Sequence, residues 1–334
     1  VHAAVKLRIP DAIPHLLQNT LTVLNYHRID DPFREGFDTL RINVSATPSG
    51  FAEQMDYVRK HYNVVTCERL ASFLRGEATL PPRAAIITFD DGYFDNLSNA
   101  FPVLKERNLP AVIFLATDYI SSDTPFYWDF AACCFYHSSR DHADLPVIGP
   151  RSWSSEEARE QVLREWVEAV KRIPEAEKKS AVGRLDASLG VSIPARAFSG
   201  LHLTWDQVRE LSRGGIEFGA HTASHPILTR IPIDQARDEV VKSKMRIEEE
   251  IGKQVISFAY PNGGEADFSQ EVMQAVAEAG IEVAFSLLSG PTFHETVKRQ
   301  PLAVRRIFLS YHDTYERFVL KVSGLTRMLE AVRP

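Results

Sequence analysis

Cysteine is scarce in this 334-residue chain. Cys67 stands alone and Cys133 and Cys134 are adjacent, so the C-x-x-C spacing of zinc ribbons and redox motifs is missing and a disulfide framework is not expected. Long apolar runs are missing too. The longest, such as residues 111–116, fall far short of the roughly 20 residues that cross a bilayer, so no transmembrane segment is predicted. Nor is there an excess of positive charge. With 38 Lys and Arg against 44 Asp and Glu, the formal charge is −6, which gives no global pull towards nucleic acid or an anionic membrane, and no local basic patch stands out. No internal repeat or low-complexity tract is visible. The first residues, Val1-His2-Ala3-Ala4 onward, lack the sustained apolar stretch of a signal peptide. The expected compartment is the cytoplasm, with the periplasm or the exterior as the alternative had a leader been removed.

What is present is an ordinary globular composition, 44% hydrophobic and 25% charged. At about 150 residues per domain the length suggests two domains, while one α/β barrel of roughly 250 residues with an insertion fits equally well. Short β-rich runs at residues 21–26, 63–66, 84–89, 111–116, 217–220, 255–259, 282–286 and 305–309 alternate with helical patterns at 51–61, 93–107, 205–213, 233–251 and 269–279. That alternation predicts parallel strands joined by helical crossovers, in a sheet covered on both faces. From 122 to 203 the rhythm stops: no strand pattern appears, and helices are expected at 155–172 and 175–189. Setting this stretch aside as a helical insertion leaves close to the roughly 250 residues of one barrel. The expectation is therefore one domain over 1–334 carrying an insertion at 122–203.

Two constellations carry chemistry. Residues 86–92 read Ile-Ile-Thr-Phe-Asp-Asp-Gly, an apolar strand ending in adjacent carboxylates, Asp90 and Asp91, at the carboxyl end where α/β folds build their sites. Taken alone, Asp and Gly are equally good turn residues. In the second, His221 and His225 follow the strand at 217–220 and converge on one cation if the segment coils through a helical turn; an isolated pair of this kind is more often local packing. Occurring together at two strand ends, the motifs supply a carboxylate and two imidazoles. Such a three-donor set leaves room for substrate, as catalytic rather than structural zinc sites do.

Thr88-Phe89-Asp90-Asp91-Gly92, His221-x3-His225 and Phe258-Ala259-Tyr260-Pro261-Asn262-Gly263 resemble the first three motifs of the polysaccharide deacetylases, the NodB-homology carbohydrate esterases. The resemblance covers roughly residues 20–121 and 204–310. It implies a distorted (β/α)7–8 barrel and metal-dependent removal of acetyl groups from sugars. Position by position, it implies Asp91, His221 and His225 as ligands of a divalent metal, Zn2+ foremost, and Asp90 as the catalytic base. Two adjacent acids make chemical sense, since one is tied to the cation while the other stays free to take a proton from the attacking water. The backbone N–H of Tyr260 is implied as an oxyanion donor.

The chain departs from the common family pattern twice. The Arg that opens the third motif, and orients the base, is replaced by Ala259. Arg306 is the candidate replacement and Arg305 the lesser one, because neighbours in a strand face opposite sides. The general acid has two candidates, His27 in Leu24-Asn25-Tyr26-His27 and His312 in Leu309-Ser310-Tyr311-His312. His27 is favoured because it directly follows an apolar strand, as in a circularly permuted branch resembling the deacetylases of poly-N-acetylglucosamine export. Trp128, Asp129 and Trp205 are candidate sugar contacts, although tryptophans usually serve packing. The expected function is N-deacetylation of N-acetylhexosamine units in a polysaccharide or its lipid-linked precursor. The alternatives are a deformylase or cyclic-amide hydrolase on the same barrel, and an inactive glycan-binding domain.

Overall fold

The computed structural model describes residues 18–324. They form two compact units. One holds Ile42–Ser121 with the chain up to Asp31 and from Leu203 on; the other holds Pro32–Arg41 and Ser122–His202. In chain order the strands are β1 (Thr20–Tyr26), β2 (Arg28–Ile29), β3 (Val44–Ala46), β4 (Asn63–Val64), β5 (Ala84–Asp91), β6 (Val112–Leu115), β7 (His142–Leu145), β8 (Gly149–Ser152), β9 (Glu217–Ala220), β10 (Ser257–Ala259), β11 (Val283–Phe285), β12 (Thr292–Phe293) and β13 (Ile307–Phe308). No described helix is long and apolar enough to cross a membrane.

The first unit is built on one sheet in the order β11-β10-β9-β6-β5-β1, with β4 beside β5 and with β12 and β13 sharing the far edge of β1. All of these pairs are parallel except β1 with β12. Val304 bridges to Phe285 of β11, and three residues later Ile307 pairs with Leu24 of β1. This short segment links the two ends of the sheet, whose parallel strands the alternation predicted and which curls into the distorted α/β barrel that the family resemblance implied. Helices cover its outside, among them Pro48–His61, Trp205–Arg213, Ile233–Ile251 and Gln270–Glu278. Thr204 and Gln207 form a reciprocal capping box at the start of the second of these, satisfying two otherwise orphaned donors.

Pleating sorts the side chains into two layers. Leu24, Tyr26, Ile87, Phe89, Ile113 and Leu115 face the helices. Leu21, Val23, Ile86, Val112, Phe114 and Phe285 face inwards, where Leu70 and Phe73 of the helix Cys67–Leu74 join them. The inner face is tight: a Cβ on Gly219 would lie 2.3 Å from the Phe114 ring, so only glycine fits there. The same parity directs Asn25, His27, Thr88 and Asp90 inwards at the carboxyl end of the barrel.

Two local expectations change within this unit. The helix expected over 93–107 is instead a π-helical turn, Asn96–Ala100, followed by an α-helix, Phe101–Arg107. Pro102 sits in the first turn of that α-helix, and its missing N–H and ring interrupt the upstream ladder. Residues 221–225 do not coil as a helical turn. Thr222 and His225 take positive φ, 66° and 60°, and His225 N–H bonds back to Thr222 Oγ1 at 3.0 Å.

The second unit holds Ser122–His202 and takes in Pro32–Arg41. Leu40 N–H donates to Asp129 Oδ1 at 3.0 Å, and Arg41 lies over the Tyr136 ring and pairs with Glu156 and Glu160. The expected helix at 155–172 is Glu156–Val170, capped by Ser155. The expected helix at 175–189 is two, Glu175–Val182 and Leu185–Leu189, parted at Gly183 and Arg184. The absence of strands is corrected by the antiparallel hairpin β7–β8. Its pattern was hidden by Pro146 and Pro150, which ordinarily argue against a strand and are tolerated at an edge.

Candidate active site

Asp90 and Asp91 end β5. Asp91 has φ 77° and Gly92 φ 80°, so the pleat is broken at Asp91 and its carboxylate leaves the alternation. A Cβ at Gly92 would meet Ile120 Cδ1 and Leu115 Cδ2 at 2.8 Å. The turn therefore requires glycine on both conformational and steric grounds. A non-glycine residue held at positive φ stores strain, a recurrent mark of functional sites.

Asp91 Oδ1 lies 3.6 Å from His221 Nε2 and 3.4 Å from His225 Nε2, and the two Nε2 atoms are 3.2 Å apart. All three residues are buried, and one donor atom from each falls within a 4.8 Å cluster. His221 Nδ1 lies 2.7 Å from Ala259 O. That carbonyl can only accept, so Nδ1 carries the proton and Nε2 presents a lone pair to the cluster. Burial, the largest influence, lowers the His221 pKa, while Asp90 and the Ala259 carbonyl oppose it. The shift favours the neutral imidazole, the form that ligates a metal. Two nitrogens and a carboxylate oxygen converging at these separations fit a divalent cation. Glu239 holds the ligand loop: its carboxylate accepts from Ala223 N, Ser224 N and Ser224 Oγ at 2.7–2.8 Å.

Asp90 is anchored on both oxygens. Arg306 Nη1 donates to Oδ1 at 2.7 Å and Asn25 Nδ2 to Oδ2 at 2.9 Å. Arg306 is fully buried; it also donates to Ser286 O and Thr88 Oγ1 and lies over the Phe114 ring. Burial pushes the Asp90 carboxyl up, but Arg306, then His221 and His27, hold it well below the usual carboxylate range. Asp90 is thereby kept ionised, the state in which a carboxylate can accept a proton. Of the two candidate arginines, Arg306 reaches Asp90, whereas Arg305 Nη1 donates to Ser289 O.

His27 Nε2 lies 3.9 Å from Asp90 Oδ2, its side chain 15% exposed and edge-on to Phe308. His312 stacks on Tyr311 instead, beside Asp313, which pairs with Arg317 and Lys321. The structure thus brings His27, and not His312, to the candidate base.

The assignment to Tyr260 is corrected. Its N–H donates to Phe285 O at 3.1 Å, continuing the β10–β11 pairing one residue past β10, and its side chain packs outwards with the hydroxyl on Leu302 O. Pro261 has no N–H, so the next amide is that of Asn262, held at φ 59° and without a partner among the described residues. The proline was the signal that ladder bonding must stop there. The three candidate sugar contacts are engaged in packing. Trp205 lies in the barrel core under Arg246, Trp128 stacks on Phe126 at 4.5 Å, and Asp129 is fully buried and accepts from Leu40 N–H. Sequence reasoning missed Asn25 and Glu239. The inward parity of Asn25, two residues before His27, was the available signal; Glu239 offered none.

Known proteins resemble this chain in sequence and in fold. A poly-beta-1,6-N-acetyl-D-glucosamine N-deacetylase of Staphylococcus epidermidis is 32% identical over 113 residues, which are 31% of this chain and 39% of that one. The Escherichia coli K12 protein of the same name is 31% identical over 100 residues, 30% of this chain and 14% of its own. The chain thus spans well under half the length of these curated relatives. Among solved structures, the Streptococcus pyogenes deacetylase PplD in complex with acetate superposes with a TM-score of 0.61 at 16% identity, covering 91% of this chain and 99% of that one. IcaB from Ammonifex degensii gives 0.58 at 18% identity over 91% and 97%; both share the fold. The polysaccharide deacetylase profile matches residues 77–284, from ahead of β5 into β11, and by that match the chain belongs to the polysaccharide deacetylase family.

Proposed function

We propose that this chain is a divalent-metal-dependent N-deacetylase acting on N-acetylhexosamine units of a polysaccharide or its lipid-linked precursor, with zinc as the cation. The names of its sequence relatives support β-1,6-linked N-acetylglucosamine as the glycan. The observation that carries the reading is Asp90, held ionised by Arg306 and Asn25 directly beside the donor cluster of Asp91, His221 and His225.

In this reading Asp91, His221 and His225 hold the cation. When bound, it supplies Lewis acidity, acidifying water and polarising the acetyl carbonyl. Asp90 accepts the proton of the attacking water at Oδ2, the oxygen nearer His27, while Arg306 keeps Oδ1 fixed. The Asn262 N–H, in place of Tyr260, stabilises the developing oxyanion. His27, as imidazolium, gives its proton to the departing sugar amine as the C–N bond breaks. Trp128, Asp129 and Trp205 support the fold in this account.

The test is acetate release from β-1,6-linked N-acetylglucosamine oligomers with and without a chelator. Acetate that disappears with chelator and returns with zinc is the expected result. Release undiminished by chelator, or no acetate from any N-acetylated glycan, would refute the proposal. Formate from an N-formylated sugar would instead favour a deformylase.

A further inference from the structure

The pairing of β1 with β5 ends at Tyr26↔Phe89, so His27 stands one residue beyond the ladder. Its backbone must find partners elsewhere. It does so through side chains: His27 N–H donates to Ser45 Oγ at 2.9 Å, and His27 C=O accepts from Asn96 Nδ2 at 2.8 Å. The following residues are held from the same place. Asp95 Oδ1 accepts from Ile29 N–H at 2.8 Å, Asp95 Oδ2 from Arg28 Nε at 2.7 Å, and Ile29 C=O accepts from Asn99 Nδ2 at 2.7 Å.

Arg28, Asp95 and Asn96 are all buried. Burying a charged pair and an amide is costly unless their polar atoms are bonded; here Arg28 and Asp95 pair with each other, Asp95 also takes the Ile29 N–H, and Asn96 Nδ2 donates to His27 O, leaving only Asn96 Oδ1 of these groups without a partner among the described residues. The register of β2 against β3 also slips between Arg28 and Ile29, and bulges of this kind re-aim neighbouring side chains. The holding residues lie at the start of the π-helical turn Asn96–Ala100, a rare element that recurs at functional sites. That turn begins only five residues after Asp91, on the connection leaving β5.

We propose that this turn, through Asn96, is the device that positions the His27 imidazole over Asp90, with Asp95 and Asn99 bracing the chain behind it. Asn96 is a positioning residue: it touches the His27 backbone and acts through it. The inference rests on the deacetylase reading for what His27 does, and on the hydrogen bonds alone for where His27 is held. Proton delivery from His27 matters most when the leaving group is a poor one. A sugar amine must be protonated as the C–N bond breaks, whereas 4-nitrophenolate leaves without a proton. Loss of positioning should therefore harm the amide reaction and spare the activated ester.

The experiment compares wild type with Asn96→Ala on an N-acetylglucosamine oligomer and on 4-nitrophenyl acetate, both zinc-loaded. On the oligomer kcat should fall about 10- to 100-fold with KM little changed, the scale of a misplacement of about 1 Å. The ester rate and the zinc content should stay within about twofold of wild type, because the metal and base machinery is intact. Equal losses on both substrates, or no loss on the oligomer, would overturn the proposal. A second readout needs no turnover: the His27 ring line in a 1H–13C spectrum, assigned by its absence in His27→Ala, should move in the variant while the lines of His221 and His225 stay. A His27 line that does not move overturns the proposal as well. Should Asn96→Ala fail to fold, Asn96→Leu keeps the branched shape and removes the donor at His27 O without burying a charge. A wild type inactive on both substrates would sink the deacetylase reading alone, since the ring line still decides the positioning.

Discussion

Arg306→Met removes a fully buried guanidinium and leaves Asp90 inside the barrel with the Asn25 amide as its remaining hydrogen-bond donor among the described residues and His27 3.9 Å away. Removing one partner of a buried ion pair costs about 3–5 kcal/mol, because the other charge stays desolvated and unpaired. Urea denaturation at pH 7 should show that loss as a lower midpoint with an unchanged slope. The pH dependence follows from the direction of the Asp90 shift. In the native protein burial raises its pKa, but Arg306, His221 and His27 outweigh burial and hold it below the unfolded value. Its ionisation therefore stabilises the fold above the unfolded pKa, and that contribution is lost as pH falls towards the folded one. Without Arg306, burial weighs more and the carboxyl rises. An Asp beside an Arg is lowered by about 1–3 pH units, so the acid limb of kcat/KM should climb by a similar amount. Asp90→Asn provides the control. The double variant should be less destabilised than the sum of the two single variants, with an interaction of about 0.5–3 kcal/mol. Additive losses together with an unmoved acid limb would refute the claim that Arg306 acts by keeping Asp90 charged.

Glu239→Ala removes the carboxylate that holds Ala223 and Ser224 N–H; zinc affinity, measured by competition with a chromophoric chelator, should fall about 10- to 100-fold as for other outer partners of ligands. Unchanged affinity would show that the His225 loop holds its shape unaided. Gly92→Ala places a Cβ 2.8 Å from two methyl groups at φ 80° and should cost at least about 1–3 kcal/mol in urea unfolding. Trp205→Ala should cost about 3–5 kcal/mol of stability while leaving the KM for N-acetylated oligomers unchanged; a raised KM with normal stability would return Trp205 to the sugar site.

Much of the barrel was legible because each strand reports its own environment. The runs at 84–89 and 217–220 are short, apolar and bounded by turn residues, and they became β5 and β9 within two residues. Helix starts were legible where a cap was present, as with Ser155 ahead of Glu156–Val170. The hairpin β7–β8 was not, since its two prolines mask a pairing made only with each other. Residues 32–41 carry no periodic signal, and only long-range contacts assign them to the second unit, among them the bond from Leu40 to Asp129, 89 positions away, and the Arg41 pairs with Glu156 and Glu160. The Tyr260 assignment failed for a similar reason: whether a backbone N–H is free depends on the neighbouring strand, here β11.

By itself the sequence determined the class of fold and the chemical inventory, two acids and two histidines at the ends of parallel strands, because strand alternation and turn chemistry are local properties of the chain. Only the tertiary structure decided which groups meet. Arg306 reaches Asp90 across 216 residues because the Val304–Ile307 segment closes the sheet between β11 and β1. His27 rather than His312 faces the base because β1 lies beside β5 and its pleat points residues 25 and 27 inwards. Closure and register are long-range consequences of packing, and no local pattern records them.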